Sequence, residues 1–363
     1  MKERFAFIDG LRGIAALWVV CMHFHTLILE RSTSTFSSLF DGVLKQGHIG
    51  VNVFFLLSGF VIAYSIRNQI ISGKFICKFF IRRSLRLDPP YWLTLIILTG
   101  IIMLGPVIFN KGHEYVPSVG DFFLNAIYLQ NFVGVSNILP VAWTLCLEIQ
   151  FYLFLVFLLW VVQYFNLYFK REVFNYSSKS ISVLLGLIFC ISLLQASHIL
   201  PSITGLFLPF WYNFFIGCLL CWVLLKSIPD AQIFLAFGMM SLFAMFESNH
   251  DILVTLILSA GMYFCIKAGK LHTSLSSSVF QFLGKISYSL YLVHWPLGMK
   301  LITLFAFILG SQINEIPAIV LLVLSTGICI GVSEIFYRCV ECPFLKISRQ
   351  TEGKLYSYPA RLG

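Results

Sequence analysis

Ten long apolar segments constrain this sequence more than any other feature. A transmembrane helix needs about 20 predominantly apolar residues to cross a hydrocarbon layer about 30 Å thick. The segments reach or approach that length and lie near residues 10–29, 49–66, 91–109, 140–163, 181–197, 205–225, 231–247, 251–268, 288–309 and 316–336. Charged residues make up only 11% of the 363 positions, whereas a soluble domain carries about 25%. We therefore expect an all-α, polytopic integral membrane protein with about ten transmembrane helices.

The distribution of basic residues predicts how these helices are oriented. Cytoplasmic loops of membrane proteins carry an excess of Lys and Arg. With ten alternating spans and both termini in the cytoplasm, all but four of the 25 Lys and Arg residues fall on the cytoplasmic side, the exceptions being Arg31, Lys45, Lys111 and Lys300. Both termini are therefore predicted to be cytoplasmic. This topology also accounts for the net charge of +9, so we expect no nucleic-acid partner.

The first segment carries ionisable residues that a simple membrane anchor does not need. Arg12 and His23 are eleven residues apart, which places them on one helix face, about 20° out of line and about 16 Å apart along the axis. If Arg12 marks the cytoplasmic edge, His23 lies near the membrane midplane, and His25 points to another side of the helix. Ionisable residues at that depth are costly and commonly functional. We therefore predict a function for His23.

Two further ionisable residues are expected at a similar depth. Glu148 lies eight residues into the fourth segment, and His294 lies nine residues beyond Lys285, which marks the inner end of the ninth. Taken singly, each residue is explained equally well by a functional site or by a hydrogen bond between helices.

An arginine-rich stretch, KFICKFFIRRSLRLDPPYWL, precedes the third segment. Arg82 and Arg86 are one helical turn apart and Arg83 flanks them, while Pro89 and Pro90 are expected to begin the next helix. A basic cluster beside a span can anchor the chain to lipid headgroups. Forked guanidinium donors also suit a phosphorylated ligand, and the sequence leaves both interpretations open.

Six motifs resemble the bacterial membrane-bound acyltransferases of the acyltransferase-3 type, which O-acylate surface and exported glycans. In the family's order they are FIDGLRGIAALWVVCMHF, GVNVFFLLSGFVI, FIRRSLRLDPPYW, WTLCLEIQFYL, GKISYSLYLVHWPL and EIFYRCVECPF. Each motif alone is weak, but six in order are specific. The resemblance implies a transmembrane acyltransferase domain over residues 1–345 and a short cytoplasmic tail over residues 346–363. One position departs from the family, which usually has Asp where this chain has Asn52, so Asn52 is left out of the predicted catalytic residues.

The resemblance also implies a donor, an acceptor and a set of site residues. The donor is acyl-CoA, most often acetyl-CoA, acting as a substrate from the cytoplasm rather than as a bound cofactor. The acceptor is a hydroxyl of a periplasmic, exported or lipid-linked saccharide, and the protein lies among the lipids of the bacterial inner membrane. In this hypothesis His23 is the general base, Glu148 orients its imidazole or binds the acceptor, and the acyl-CoA phosphates meet Arg12, Arg82, Arg83 and Arg86. The predicted supporting or acceptor-side residues are Ser58, Trp143, Tyr288 and His294.

Several alternatives compete with these assignments. A transporter or flippase for a glycan or lipid-linked sugar would also span the membrane many times, although such proteins usually show repeats or paired broken helices, and none is evident here. Ser58 and Ser287 are poor candidates for nucleophiles because neither lies in a GxSxG turn. Aromatic belts at the membrane interface explain Trp143 and Tyr288 as well as substrate contact does. We predict no metal site, and we expect Glu341 to pair with Arg338 or another base of its loop.

Overall fold

The computed structural model describes residues 5–31, 36–67, 69, 71–109, 116–168, 179–246, 250–309 and 314–355. Within these ranges the chain forms helices and short helical turns and contains no β-strand. The helices are α1 (Ala6–Arg31), α2 (Ser38–Lys45), α3 (Ile49–Ile66), α4 (Gly73–Phe109), α5 (Val119–Ala126), α6 (Gln130–Val133), α7 (Trp143–Tyr168), α8 (Lys179–Ala196), α9 (Trp211–Leu224), α10 (Asp230–Phe246), α11 (His250–Lys267), α12 (Ser278–Leu309), α13 (Glu315–Phe336) and α14 (Cys342–Leu355).

The prediction of an all-α, polytopic membrane protein is confirmed. Each of the ten predicted segments falls wholly or mainly on one of the helices. Within the described ranges, six helical stretches are long and apolar enough to cross a membrane, namely Ala6–Glu30, Ser38–Ile66, Gly73–Leu104, Pro140–Tyr164, His250–Lys267 and Glu315–Gln350. Three shorter apolar helices are Val183–Ala196, Leu208–Leu224 and Asp230–Met245. The total of ten spans and their orientation stay predictions.

The arginine-rich stretch is helical, and the expectation that a new helix begins at Pro89 and Pro90 is wrong. Helix α4 begins at Gly73 and continues through Pro89 and Pro90 without interruption. Prolines lack the N–H group that bonds to the carbonyl four residues earlier, but they are tolerated in membrane helices that pack against neighbouring helices. Beside these two prolines the Thr94 hydroxyl donates to the Pro90 carbonyl at 3.0 Å, and the Tyr288 hydroxyl donates to the Leu87 carbonyl at 2.7 Å.

The described residues form two compact units, which we call unit 1 and unit 2. Unit 1 is drawn from Met1–Val19, Lys45–Ile71 and Trp143–Ser287. Its central helix is α9, in which every residue from Trp211 to Val223 is buried. Helices α3, α8, α10 and α11 pack around α9. An apolar helix covered on all sides is typical of the interior of a helix bundle.

Glycines allow α3 and α9 to pack backbone against backbone within unit 1. A Cβ atom added to Gly59 would lie 1.8 Å from the Phe214 carbonyl oxygen, and one added to Gly217 would lie 2.0 Å from the Leu56 carbonyl oxygen. Membrane helices associate through small residues of this kind because lipid supplies little hydrophobic drive between helices. The contact also fixes Ser58, which immediately precedes Gly59 on α3.

Unit 2 is drawn from Val20–Leu44, Ser72–Ala142 and Tyr288–Gly363. Helix α14 packs on α4, and the Ser348 hydroxyl donates to the Arg82 carbonyl at 3.0 Å. A π-helical turn, Tyr337–Glu341, joins α13 to α14. Helix α14 crosses the predicted boundary between residues 345 and 346, and the division into domain and tail stays a prediction. The last residues of the predicted tail, 356–363, lie outside the described ranges.

The structure does not pair Glu341 with Arg338, and the alternative expectation, a pair with another base of its loop, stays a prediction. The Glu341 side chain is buried and accepts a hydrogen bond from the Ser289 hydroxyl at 2.6 Å. Arg338 instead pairs with Glu334, one helical turn earlier, at 2.5 Å. The π-helical turn adds a residue to one helical turn between α13 and α14. The Glu341 side chain is therefore turned inward, while Arg338 stays exposed.

Candidate active site

His23 lies on α1 within an aromatic and imidazole cluster of unit 2. Its ring centroid is 5.1 Å from the Trp295 ring, which it meets edge-on, and 5.2 Å from the His294 ring. Gly298 on α12 makes this approach possible, because a Cβ atom there would lie 2.1 Å from the Phe24 ring. The structure therefore brings together two of the predicted site residues, His23 and His294, from segments more than 250 positions apart in the chain.

His294 is held in one orientation and keeps one ring nitrogen available. The residue is completely buried, and its Nδ1 atom lies 3.2 Å from the Leu290 carbonyl oxygen. A carbonyl can only accept, so Nδ1 carries the proton and Nε2 is the unprotonated nitrogen of the neutral ring. Among the described residues Nε2 has no hydrogen-bond partner. Since buried polar atoms are nearly always paired, this nitrogen marks a place where a substrate group or a water can bind.

His25 contacts different residues from His23, as the helix geometry predicts. Its Nε2 atom lies 3.0 Å from an Asp41 carboxylate oxygen of α2, and its ring contacts Phe36. The pair ties α2 to α1. His25 is therefore a structural residue of unit 2 and a suitable reference for tests of His23.

The three predicted arginines of α4 are half-buried rather than fully solvated. Partial burial favours the long, weakly hydrated guanidinium group over an ammonium group. Each side chain makes interactions of its own, so the group is a packed surface and not a freely moving basic tail. Both interpretations of the arginine cluster, lipid anchor and phosphate site, remain compatible with this placement.

The sequence reasoning did not single out Asp88, a carboxylate that follows the arginines on α4. Asp88 accepts hydrogen bonds from the Ser84 hydroxyl and, at 3.0 Å, from the Tyr128 hydroxyl. Tyr128 has a left-handed backbone with φ 62°, and its ring stacks on Tyr91 at 4.8 Å. Burial raises the pKa of the Tyr128 phenol well above its ordinary value, and nearby Tyr288 and Asp88 add to the effect. Tyr128 therefore stays protonated and remains a donor to Asp88.

Glu148 lies at the centre of a hydrogen-bonded group in unit 1. One of its carboxylate oxygens accepts from both the Ser58 hydroxyl and the Tyr152 hydroxyl, and the two hydroxyl oxygens are 3.5 Å apart. Ser58 is thus a donor to a carboxylate, and its supporting role stays a prediction. Tyr152, which the sequence reasoning missed, follows Glu148 by one helical turn on α7. The predicted action of Glu148 on the His23 imidazole stays a prediction.

The remaining predicted residues are Trp143, Arg12 and Tyr288. Trp143, at the start of α7, contacts the rings of Phe55 at 6.5 Å and Phe210 at 5.8 Å. Arg12 is half-buried on α1, next to Gly13, where an added Cβ atom would lie 2.5 Å from the Gly284 backbone nitrogen. Tyr288 is buried in unit 2. Their catalytic or binding roles stay predictions.

The sequence comparisons identify the class of protein to which these features belong. Residues 5–338 match the profile of the acyltransferase-3 family, described as an acyltransferase domain. Because the match covers most of the chain, the chain belongs to this family. The resemblance drawn from the six motifs is confirmed.

Three relatives illustrate how far the similarity extends. The chain is 32% identical over 172 residues to the peptidoglycan O-acetyltransferase OatA of Listeria monocytogenes, covering 42% of this chain and 25% of the relative. It is 29% identical over 160 residues to the acyltransferase MdmB of Streptomyces mycarofaciens, covering 42% of this chain and 38% of the relative. A Staphylococcus aureus protein provisionally named an O-acetyltransferase is 25% identical over 386 residues, covering 93% of this chain and 57% of the relative. This chain thus spans less than two thirds of each of these relatives, and no solved structure matches it.

Proposed function

We propose that this membrane protein transfers an acetyl group from cytoplasmic acetyl-CoA to a hydroxyl of a glycan on the other side of the bacterial inner membrane. Family membership supports acyl transfer over the transporter alternative. The names of two relatives, which specify O-acetyl transfer, support an acetyl donor and a hydroxyl acceptor. The polytopic fold supports a site within the membrane.

The observation that carries the proposal is the His23 cluster. A hydroxyl is a weak nucleophile at neutral pH, and an imidazole is the side chain best suited to remove its proton during attack. The His23 ring contacts the Trp295 and His294 rings, and His294 keeps Nε2 available to accept a hydrogen bond. A merely structural pair of helices would not need a second buried imidazole with an unused nitrogen.

The proposed reaction is a direct transfer. The acceptor oxygen attacks the thioester carbonyl carbon as its proton passes to His23, so that a C–O bond forms and the C–S bond then breaks. The protonated imidazole returns the proton to the departing sulfur, which leaves as the thiol of CoA. Arg12 and the α4 arginines bind the CoA phosphates by charge-assisted hydrogen bonds. The Glu148 carboxylate, held by the Ser58 and Tyr152 hydroxyls, acts on the acceptor side of the site.

A gene-deletion strain tests the function. Base-labile O-acetyl groups on envelope and exported glycans are measured by proton NMR in the deletion strain with and without the wild-type gene. We expect the wild-type gene to restore acetyl signals on one glycan, which then identifies the acceptor. An unchanged acetyl content, together with altered export of a lipid-linked sugar, would favour the transporter alternative.

A further inference from the structure

A second polar group lies in unit 1 at the first turns of three helices. It consists of His48 and Asn52 at the start of α3, Asn213 on α9, and Asp251 and Thr255 on α11, and we call it the outer polar cluster. The Asn52 Nδ2 atom donates to an Asp251 carboxylate oxygen at 3.3 Å, and the His48 Nε2 atom lies 3.7 Å from the same oxygen. The Thr255 hydroxyl lies 2.5 Å from the Asn213 Oδ1 atom and 2.9 Å from the Asp251 carbonyl oxygen.

The outer polar cluster runs from accessible groups to a buried one. The His48 and Asp251 side chains are 48% and 52% exposed, whereas Asn213 and Thr255 are completely buried. The Asn213 Nδ2 atom makes no hydrogen bond of ordinary geometry among the described residues, but the buried Tyr212 phenol interacts with the Asn213 and Thr255 side chains. The half-exposed Asp251 carboxylate is therefore the part of the cluster that a ligand can reach.

The chemistry of the cluster suits hydroxyl groups better than ions. No group of three or more His, Cys, Asp or Glu side chains within the described ranges could hold a metal ion, and the Asp251 carboxylate disfavours an anion. A carboxylate and carboxamides together accept from and donate to hydroxyls. Phe55, one turn after Asn52 on α3, contacts the half-buried Trp143 indole, which adds an apolar surface suited to the C–H face of a sugar ring.

The predicted orientation places this cluster on the side where an acceptor glycan is expected. In the ten-span topology, α3, α9 and α11 all begin on the non-cytoplasmic side of the membrane. We propose that the outer polar cluster is the acceptor subsite, in which the Asp251 carboxylate, held by Asn52, accepts hydrogen bonds from saccharide hydroxyl groups. The proposal rests on the proposed function and specifies where its acceptor binds.

The test exchanges the carboxylate between the two helices. Asp251→Asn and the double variant Asn52→Asp/Asp251→Asn are expressed in the deletion strain at matched membrane levels. The control is Asp230→Asn, because Asp230 lies outside the cluster, where it pairs with Lys267 at 2.5 Å. Two quantities are measured, namely base-labile acetate on the envelope glycans and binding of radiolabelled acetyl-CoA to the membranes.

We expect Asp251→Asn to lower glycan acetate at least about 10-fold, the scale set by loss of a charged hydrogen bond, while acetyl-CoA binding stays unchanged. The double variant returns the charge to the cluster and should recover most of the acetate, and Asp230→Asn should match the wild type. Wild-type acetate in Asp251→Asn, loss of acetyl-CoA binding alongside acetate, or a double variant as defective as the single one would overturn the proposal. A wild-type gene that adds no acetate to any glycan would instead refute the proposed function.

Discussion

The glycine contact between α3 and α9 gives a stability prediction with a calculable sign. In Gly59→Ala the new Cβ atom would lie 1.8 Å from the Phe214 carbonyl oxygen, against an ordinary contact of at least 3.4 Å. The obstructing atoms are backbone, so they cannot rotate away and the helices must separate by more than an ångström. Such overpacking costs about 1–3 kcal/mol, and lost contacts along α9 place this site at the upper end.

Helix propensity opposes that cost. Ala is favoured over Gly in a helix by about 1 kcal/mol, so we expect Gly59→Ala to lower the free energy of unfolding by a net ~2 kcal/mol. At about 2 °C per kcal/mol for a long chain, the melting temperature should fall by about 4 °C. The matched control is Gly261→Ala on α11, where no atom lies within 4 Å of the added Cβ and where the substitution should be neutral or stabilising.

The assay is heat challenge of the detergent-purified protein followed by size-exclusion chromatography. The fraction that stays monodisperse is compared at each temperature for the wild type and the two variants. A Gly59→Ala variant that melts at or above the temperature of Gly261→Ala would refute the reasoning that α3 and α9 pack backbone against backbone.

Two further predictions concern unit 2. Ser289→Ala removes a donor from the buried Glu341 carboxylate and should lower the free energy of unfolding by about 1–3 kcal/mol. Ser287→Ala loses only a hydrogen bond to the preceding turn and should cost much less. Equal heat stability of the two variants would contradict this prediction. Arg86→Gln removes a phosphate-binding guanidinium in the proposed donor site and should raise the KM for acetyl-CoA at least about 10-fold. Arg338→Gln should not, because Arg338 is exposed and pairs with Glu334 one turn earlier. An unchanged KM in Arg86→Gln would favour the lipid-anchor interpretation.

The helices were predictable because burial in lipid selects long apolar runs, and such runs are visible in the sequence. The same reasoning failed at Pro89 and Pro90, since it treats proline as a helix boundary. In α4 the helix continues through both prolines, and beside them Tyr288, which lies about 200 residues away in the chain, donates to the Leu87 carbonyl. A local pattern cannot contain that information.

Only those residues of the candidate site could be predicted that are ionisable and lie deep within an apolar segment. His23, Glu148 and His294 were noticed because ionisable groups are rare in apolar segments. Tyr152, the partner of Glu148, was not noticed because it resembles other aromatic residues of a membrane helix. Asp251 of the outer polar cluster was not noticed because it lies at a helix end, where an acid is ordinary. Asn52 was left out of the predicted catalytic residues because it carries no charge, yet it donates a hydrogen bond to the Asp251 carboxylate. The sequence alone does not reveal that a carboxylate lies beside this position.

The most direct test of the account is acetyl transfer by membrane vesicles that contain His23→Ala. Vesicles are supplied with radiolabelled acetyl-CoA, and base-labile label on glycan is counted for the wild type, for His23→Ala and for His25→Gln, a reference on the same helix that can keep a hydrogen bond to Asp41. We predict that His23→Ala lowers transfer by about 10²–10⁴-fold, the usual contribution of a general base, while His25→Gln at equal protein level retains it. Transfer by His23→Ala at the wild-type rate would contradict the central claim that this half-buried histidine removes the acceptor's proton.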